Sequence, residues 1–250
     1  MVLALASCTS APHTSRTVPS TPTFGGDPTA RLERLGGVWF ETSATVTFDT
    51  QVREAGEPAS LHQCIRQLFL GDHQCIRQLF LGDQSSIDRP TAVRMCARQG
   101  VLRLVWDPPD RWRMDVTTPN DEYALISSPG VSYRCKGAGE NLSSCVARTS
   151  SQAERATSFR SVLATPEDVV VRIGADAHGS VRRALDRSIA GTKAECYWAT
   201  GVSDQEAGWC FSTAGVLMFF TFSTADGASA RLEATRVSLG VSRADLTPSV

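Results

Sequence analysis

The sequence predicts a mainly β fold with some helix (α+β). Its core is one strongly curved antiparallel sheet, with two or three helices closing the concave side. Three observations lead there. Segments in which apolar and polar residues alternate follow one another along the chain, with the period of two that marks a half-buried strand. Turn-forming residues separate many of them at hairpin spacing, which favours antiparallel pairing. Helical periodicity is confined to two short stretches between strands and to a repeated segment. A sheet must cover its apolar face, and two or three helices cannot cover eight or more strands. Curvature resolves the mismatch and leaves an apolar space on the open side.

The elements follow in order. Val38, Phe40, Thr42, Ala44, Val46 and Phe48 alternate with Glu41, Ser43, Thr45, Thr47 and Asp49, predicting a strand from Gly36 onward. Residues 93–97 and 101–106 read as a hairpin around Arg98, Gln99 and Gly100. In the next strand Trp112, Met114 and Val116 alternate with Arg111, Arg113 and Asp115. Residues 123–127 and 131–135 flank Ser128-Pro129-Gly130, a turn by composition. Residues 169–173 form a short strand, and 189–199, 209–212, 216–224 and 230–241 supply the rest. Two amphipathic helices are expected between strands. One covers 152–164 and is ended by Pro166; the other covers 177–188, with Val181, Leu185 and Ile189 aligned.

The chain has 250 residues, of which 42% are hydrophobic, an ordinary globular balance once its 19 glycines are added. Lys plus Arg number 25 and Asp plus Glu 26, for a net charge of −1, which argues against a nucleic-acid partner. No run of 18 apolar residues exists, so no membrane-spanning helix is expected.

Leu5-Ala6-Ser7-Cys8 resembles the bacterial lipobox, in which small residues precede a cysteine that is diacylated and becomes the mature N-terminus. The apolar run before Cys8 is shorter than a signal peptide and lacks a basic n-region. The true start is therefore expected upstream, with residues 1–8 the remnant of a truncated signal peptide. Residues 9–30, rich in Ser, Thr and Pro, suit a disordered tether. Residues 31–250 then form a single domain.

Eight cysteines suit an oxidising compartment. Cys135 and Cys145 flank a polar Gly-rich stretch, and Cys196 and Cys210 flank another polar turn. Each pair is placed to staple a hairpin, contributing up to about 3 kcal/mol. Zinc is the rival reading, but CxxC pairs are absent and histidine is scarce, so no metal is expected.

Residues 62–72 are repeated without change as 73–83, an 11-residue tandem copy. Structural repeats drift and run to 20 residues or more, so a recent in-frame duplication, or a sequencing artefact, explains it better. Ile65, Leu68 and Phe69 fit a short helix, and an 11-residue insertion nearly preserves helical phase. With Cys8 assigned to lipid, a third bridge would join Cys96 to Cys64 or Cys75 and leave one thiol spare.

Several phrases resemble the LolA-like and LppX/LprG-like bacterial lipoproteins. They are Trp106-Asp107-Pro108-Pro109-Asp110-Arg111-Trp112-Arg113-Met114-Asp115, residues 126–135, residues 189–197, residues 209–217, and the last strand at 232–237 with its tail at 244–248. The resemblance covers roughly 36–248, and residues 51–92 depart from it. It implies an open half-barrel of antiparallel strands closed by helices around a hydrophobic pocket that carries lipid.

No catalytic constellation is present. His178 is the one independent histidine of the body, because His13 lies in the tether and His62 and His73 are copies. A Gly-x-Ser-x-Gly elbow, a Gly-x-x-x-x-Gly-Lys phosphate loop and a Gly-x-Gly-x-x-Gly fingerprint are all absent. The chain is therefore expected not to be an enzyme and to need no cofactor. Asp107, Asp110 and Asp115 could form a carboxylate cluster, but capping of the Pro corner and pairing with Arg111 or Arg113 explain them better.

Candidate pocket residues are Phe40, Trp112, Met114, Leu217 and Phe219, with Trp39 a further one. Along 216–222 two alternate sets stay open until the register is known: Leu217, Phe219 and Thr221, or Val216, Met218, Phe220 and Phe222. The leading expectation is an extracytoplasmic protein, held to the membrane by a lipid on Cys8, that binds a lipid or lipidated molecule. The alternative is a cell-surface interaction or sensor module with a filled core and an envelope protein partner.

Overall fold

A computed structural model of the chain describes residues 26–53, 98–119, 122–152, 180–202, 205–223 and 229–248. Helix α1 (Pro28–Glu41) comes first, then β1 (Ala44–Arg53), β2 (Arg98–Asp107), β3 (Arg111–Thr117), β4 (Glu122–Ser128), β5 (Val131–Lys136) and β6 (Ser143–Thr149). They are followed by β7 (Val181–Arg183), β8 (Arg187–Ile189), β9 (Thr192–Thr200), β10 (Glu206–Ser212), β11 (Leu217–Ser223) and β12 (Ser229–Leu239). A 3₁₀ turn, Arg243–Leu246, closes the described chain.

The twelve described strands join one antiparallel sheet, in the order β6-β5-β4-β3-β2-β1-β12-β11-β10-β9-β7, with β8 also pairing β9. The ends β6 and β7 are not neighbours, so the sheet is open rather than closed into a barrel. Chain order is nearly spatial order, except that β1 pairs both β2 and β12 and so stitches the two halves together.

The mainly β class and the single antiparallel sheet agree with expectation, while the described residues do not confirm two or three helices. Among the described residues there is one long helix, and it lies where a strand was expected to begin. Asp27 caps it, its side chain accepting from the Thr29 N–H at 2.9 Å, and Pro28 fills the first turn. Leu32, Leu35, Gly36 and Trp39 recur at helical spacing and are buried. The alternation around Val38 and Phe40 is thus a coincidence of two periods, and it becomes a true strand only from Ala44. The helix also starts inside the stretch expected to be tether.

The helix expected over 177–188 is overturned where it can be seen. Val181–Arg183 and Arg187–Ile189 are strands, and Leu185 is exposed, because β9 offers an edge on which both short segments complete a backbone ladder. Arg98, Gln99 and Gly100 belong to β2 rather than to a turn, since β1 pairs them across its far end. The strand expected as 189–199 is broken by a hairpin at Ala190-Gly191, both in the left-handed region. All but the first residue of the helix over 152–164, the strands over 93–97 and 169–173, the duplication, and Cys8, Cys64, Cys75 and Cys96 lie outside the described residues. The two expected hairpin disulfides are present, Cys135–Cys145 between β5 and β6 and Cys196–Cys210 between β9 and β10.

Register separates the two faces. One carries Val46, Phe48, Leu102, Leu104, Trp106, Met114, Tyr123, Leu125, Leu232, Phe220, Trp209 and Tyr197, neighbours across consecutive ladders. Helix α1 packs on this helix face. The outer face carries charge. There Arg113 donates to Asp115 at 2.9 Å with both side chains buried, and Arg103 bridges Asp115 at 3.3 Å and Asp245 at 2.6 Å. Gly139 joins through its N–H to Asp115 and its carbonyl to Arg113. Asp107 pairs with Arg111, as its place at the Pro corner suggested.

Three substitutions probe this packing. Gly215 has φ +77, and a Cβ there would lie 2.6 Å from Val38 and 2.9 Å from the Leu35 carbonyl. Gly215→Ala combines left-handed strain with overpacking and should cost about 2–4 kcal/mol in urea unfolding. Gly130→Ala, at φ +81 with open space around it, should cost only about 1–2 kcal/mol. Asp115→Ala takes the carboxylate from the buried Arg113, while Arg103 keeps Asp245, and should lower stability by about 3–5 kcal/mol, read from the same unfolding curves.

Candidate functional site

The candidate site is the helix face. Its apolar surface runs across β4, β3, β2, β1, β12, β11, β10 and β9, because the ladders place one alternate set of each strand on the same side of the sheet. The aromatic concentration lies on β9–β11. Trp209 and Phe220 are 6.0 Å apart between ring centroids, and Phe220 and Phe222 are 5.8 Å apart. Trp209 is fully buried, and its indole N–H has no hydrogen-bond partner among the described residues. Leaving such a donor unpaired costs about 1–3 kcal/mol, so it is a polar handle on an otherwise apolar wall.

Helix α1 crosses one end of this face and is fastened at both of its own ends. At its C-terminus the Trp106 indole N–H donates to the Phe40 carbonyl at 3.0 Å, and the two rings meet edge to face at 6.4 Å. At its N-terminus Arg31 donates to Glu195 at 2.9 and 3.3 Å. Glu195 also accepts from Arg183 at 3.1 Å and from the Tyr197 hydroxyl at 3.2 Å. Burial opposes ionisation of Glu195, but the hydrogen bond from Arg31 and the charges of Arg31 and Arg183 outweigh it, holding the carboxyl below its usual range. Burial pushes the Tyr197 hydroxyl up, so it stays a protonated donor.

The five pocket candidates are only partly brought together. Trp112 and Met114 lie on the helix face, in register with Trp106 and Leu104, and are buried. Phe40, half-buried on α1, reaches the same corner through Trp106. Leu217 sits at the bulge that shifts β10 against β11, opposite Phe211. Phe219 faces the other way: it opposes Cys210 and Glu233, and Arg187 and Arg231 lie over its ring at 4.8 and 5.6 Å. Of the two alternate sets, Phe220 and Phe222 belong to the helix face. Trp39, the further candidate, is buried under α1.

Sequence reasoning missed Arg31, Arg183 and Glu195. Arg31 and Glu195 are 164 residues apart, and no local pattern announces their meeting. Among the described residues no group of three or more His, Cys, Asp or Glu side chains is arranged to hold a metal ion. Asp49, Gln51, Arg231, Glu233 and Thr235 line an open polar groove of about 260 Å³ on the outer face.

No family model matches the chain, and no curated protein matches it. Solved structures do. The MucA/MucB complex of Pseudomonas aeruginosa is similar at 11% identity and a TM-score of 0.46, covering 90% of this chain and 62% of that one. An uncharacterized conserved protein of Thermus thermophilus is similar at 10% identity and a TM-score of 0.41, over 89% of this chain and 93% of that one. A LolA superfamily protein of Nitrosomonas europaea, from the family that the sequence resembles, matches at 10% identity and a TM-score of 0.29, over 87% and 97%. The chain spans 60% of the length of the MucB chain solved with MucA(peri).

The fastening of α1 gives a pH-dependent prediction. Glu195 is held below its ordinary value, so its contribution is complete above about pH 4.3 and is lost as pH falls through the lowered folded value. Glu195→Gln should cost about 1 kcal/mol at pH 6, a figure discounted because Arg31 remains 43% exposed. The difference between the two proteins should shrink as the medium is acidified below pH 4, followed by denaturant unfolding across that range.

Proposed function

We propose that this chain is a non-catalytic extracytoplasmic binding protein that takes the acyl chains of a lipid or lipidated molecule on the helix face of its sheet. The observation that carries the reading is the mismatch between that face and its helix. Eight neighbouring strands at about 4.8 Å spacing make a face about 34 Å wide, and five residues of each strand make it about 17 Å deep. Helix α1, 14 residues long, spans about 21 Å and is about 10 Å across. Among the described residues it is the one helix on that face and matches roughly a third of it, while the apolar residues of the remainder are buried as well. An acyl chain would take the place of part of what buries the remainder, with the sheet curving around it as a half-barrel. Each methylene removed from water there contributes about 0.8 kcal/mol, so partition alone provides affinity.

Two disulfides among the described residues support an oxidising, extracytoplasmic setting. No described helix is long and apolar enough to cross a membrane. A lipid on Cys8 would supply attachment, with the Ser/Thr/Pro-rich stretch behind it as tether.

One observation favours the second reading, a filled interaction module. Trp112, Met114, Leu217 and the residues around them are nearly inaccessible. In that reading the face is a core, and the protein presents its edges and outer face to a protein partner.

Native mass spectrometry of the full chain, purified from an oxidising compartment and followed by organic extraction, separates the two. The expected result is close to one co-purifying lipid per chain, or stoichiometric uptake of an added fluorescent fatty acid. A clean ligand-free mass with no uptake would sink the carrier reading and leave the interaction module.

A further inference from the structure

The edge of the helix face bears on which lipid. On β5 the alternation that turns Tyr133 and Cys135 towards the outer face puts Ser132, Arg134 and Lys136 on the helix face. On β6 the partners of that set are Val146, opposite Arg134, and Arg148, opposite Ser132. Three cationic side chains, Arg134, Lys136 and Arg148, therefore share one surface, and all three are exposed. Arg134 and Arg148 are diagonal neighbours, which places their Cα atoms about 7–8 Å apart, within reach of one phosphate.

The boundary with the apolar wall is sharp. Lys136 stands directly beside Tyr123 and Arg134 beside Leu125, and both β4 residues are buried. One strand spacing, about 4.8 Å, thus separates hydrocarbon from positive charge. No carboxylate of β3, β4, β5 or β6 lies on this face. Asp115 is on the outer face with Arg113, and the loop that carries Glu140 is drawn to that same side by the bonds of Gly139 to Arg113 and Asp115. Elsewhere on the sheet arginines sit beside acids: Arg103 with Asp115, Arg183 with Glu195, Arg231 with Glu233. Among the described residues, Lys136 and Arg148 make no ion pair.

We infer that the ligand is an anionic phospholipid, its acyl chains against the β4 side of the apolar face and its phosphodiester held by Arg134, Lys136 and Arg148. This rests on the carrier reading above and narrows it. An uncharged lipid would leave Lys136 and Arg148 without a counter-charge, whereas a phosphate at that edge meets them while its chains reach the apolar wall one strand away. The guanidinium groups suit a phosphate's paired oxygens, and Lys136 adds a point charge.

The test offers the full chain vesicles of equal parts dioleoylphosphatidylglycerol and dioleoylphosphatidylcholine, and quantifies the lipid that leaves with the protein. The chains are identical, so the ratio reports the headgroup. The expected result is about tenfold enrichment of phosphatidylglycerol, from cations that each favour an anionic lipid by about fivefold at most. High salt should erase the enrichment without any substitution. Lys136→Ala with Arg148→Ala, both exposed, should bring the ratio towards one while total lipid per chain persists. Equal uptake of both lipids by the unaltered chain would overturn this inference and leave the carrier reading standing. Uptake of neither would overturn both. Binding of a heptaglutamate peptide in place of either lipid would assign the basic edge to an acidic protein segment instead, and would also overturn the inference.

Discussion

An open sheet has two faces and no closure to hide either one, and everything else in this molecule answers to that constraint. Period-two alternation sends one half of the side chains to each face, so twelve strands produce two surfaces of equal extent with different chemistry. The protein solves them separately. One is apolar and receives a helix; the other is held by buried ion pairs and by loops. Strand β1 sits between β2 and β12 and makes both surfaces continuous across the middle of the fold. Without it the sheet would fall into two meanders of five or six strands.

The helix is the economical part of the solution. Burial of Leu32, Leu35 and Trp39 contributes about 1.5–3 kcal/mol each, and it is non-directional, so on its own it would let the helix slide. Direction comes from the ends. Arg31 against Glu195 and the Trp106 N–H against the Phe40 carbonyl fix the two termini, and Gly215 allows the chain to pass within contact of Val38. On the outer face the charges do analogous work. The Arg103–Asp115–Arg113 group is worth little as a set of Coulomb pairs, since desolvation offsets most of the attraction. Its value is that it joins β2, β3, the loop at Gly139 and the C-terminal 3₁₀ turn in one arrangement.

Much of the sheet was legible because alternation is a local signal. Trp112, Met114 and Val116, or Tyr123 and Leu125, state their facing in four or five residues, and turn chemistry at Ser128-Pro129-Gly130 marks the hairpin between β4 and β5. Both described disulfides were legible for a related reason: each closes a single hairpin, so sequence separation and spatial pairing coincide. Helix α1 misled because Val38, Phe40 and Thr42 satisfy period two while Leu32, Leu35 and Trp39 satisfy the helical period, and only the presence of a sheet to pack against decides between them. The same reasoning in reverse explains residues 181–189, where helical spacing of Val181, Leu185 and Ile189 yielded to the free edge of β9. Phe219 shows the limit of alternation. Its strand is apolar on both faces, and a bulge at Phe211 removes the parity that would reveal which side it takes.

The division of charge across the sheet separates structural cations from available ones. Arg103, Arg113 and Arg183 have their acids built in, and each fastens one segment to another. Arg148 and Lys136 lie at the end of the strand order, where the apolar wall stops and the backbone of β6 has no further strand to pair with among the described residues. An edge of this kind invites another chain, and charge on it discourages that. Protection alone, however, does not need three cations on the face that adjoins Tyr123 and Leu125, because cations on the outer face of β6 would repel an incoming strand equally well. Their placement beside hydrocarbon, one strand spacing away, follows the shape of an amphiphile rather than the needs of an edge.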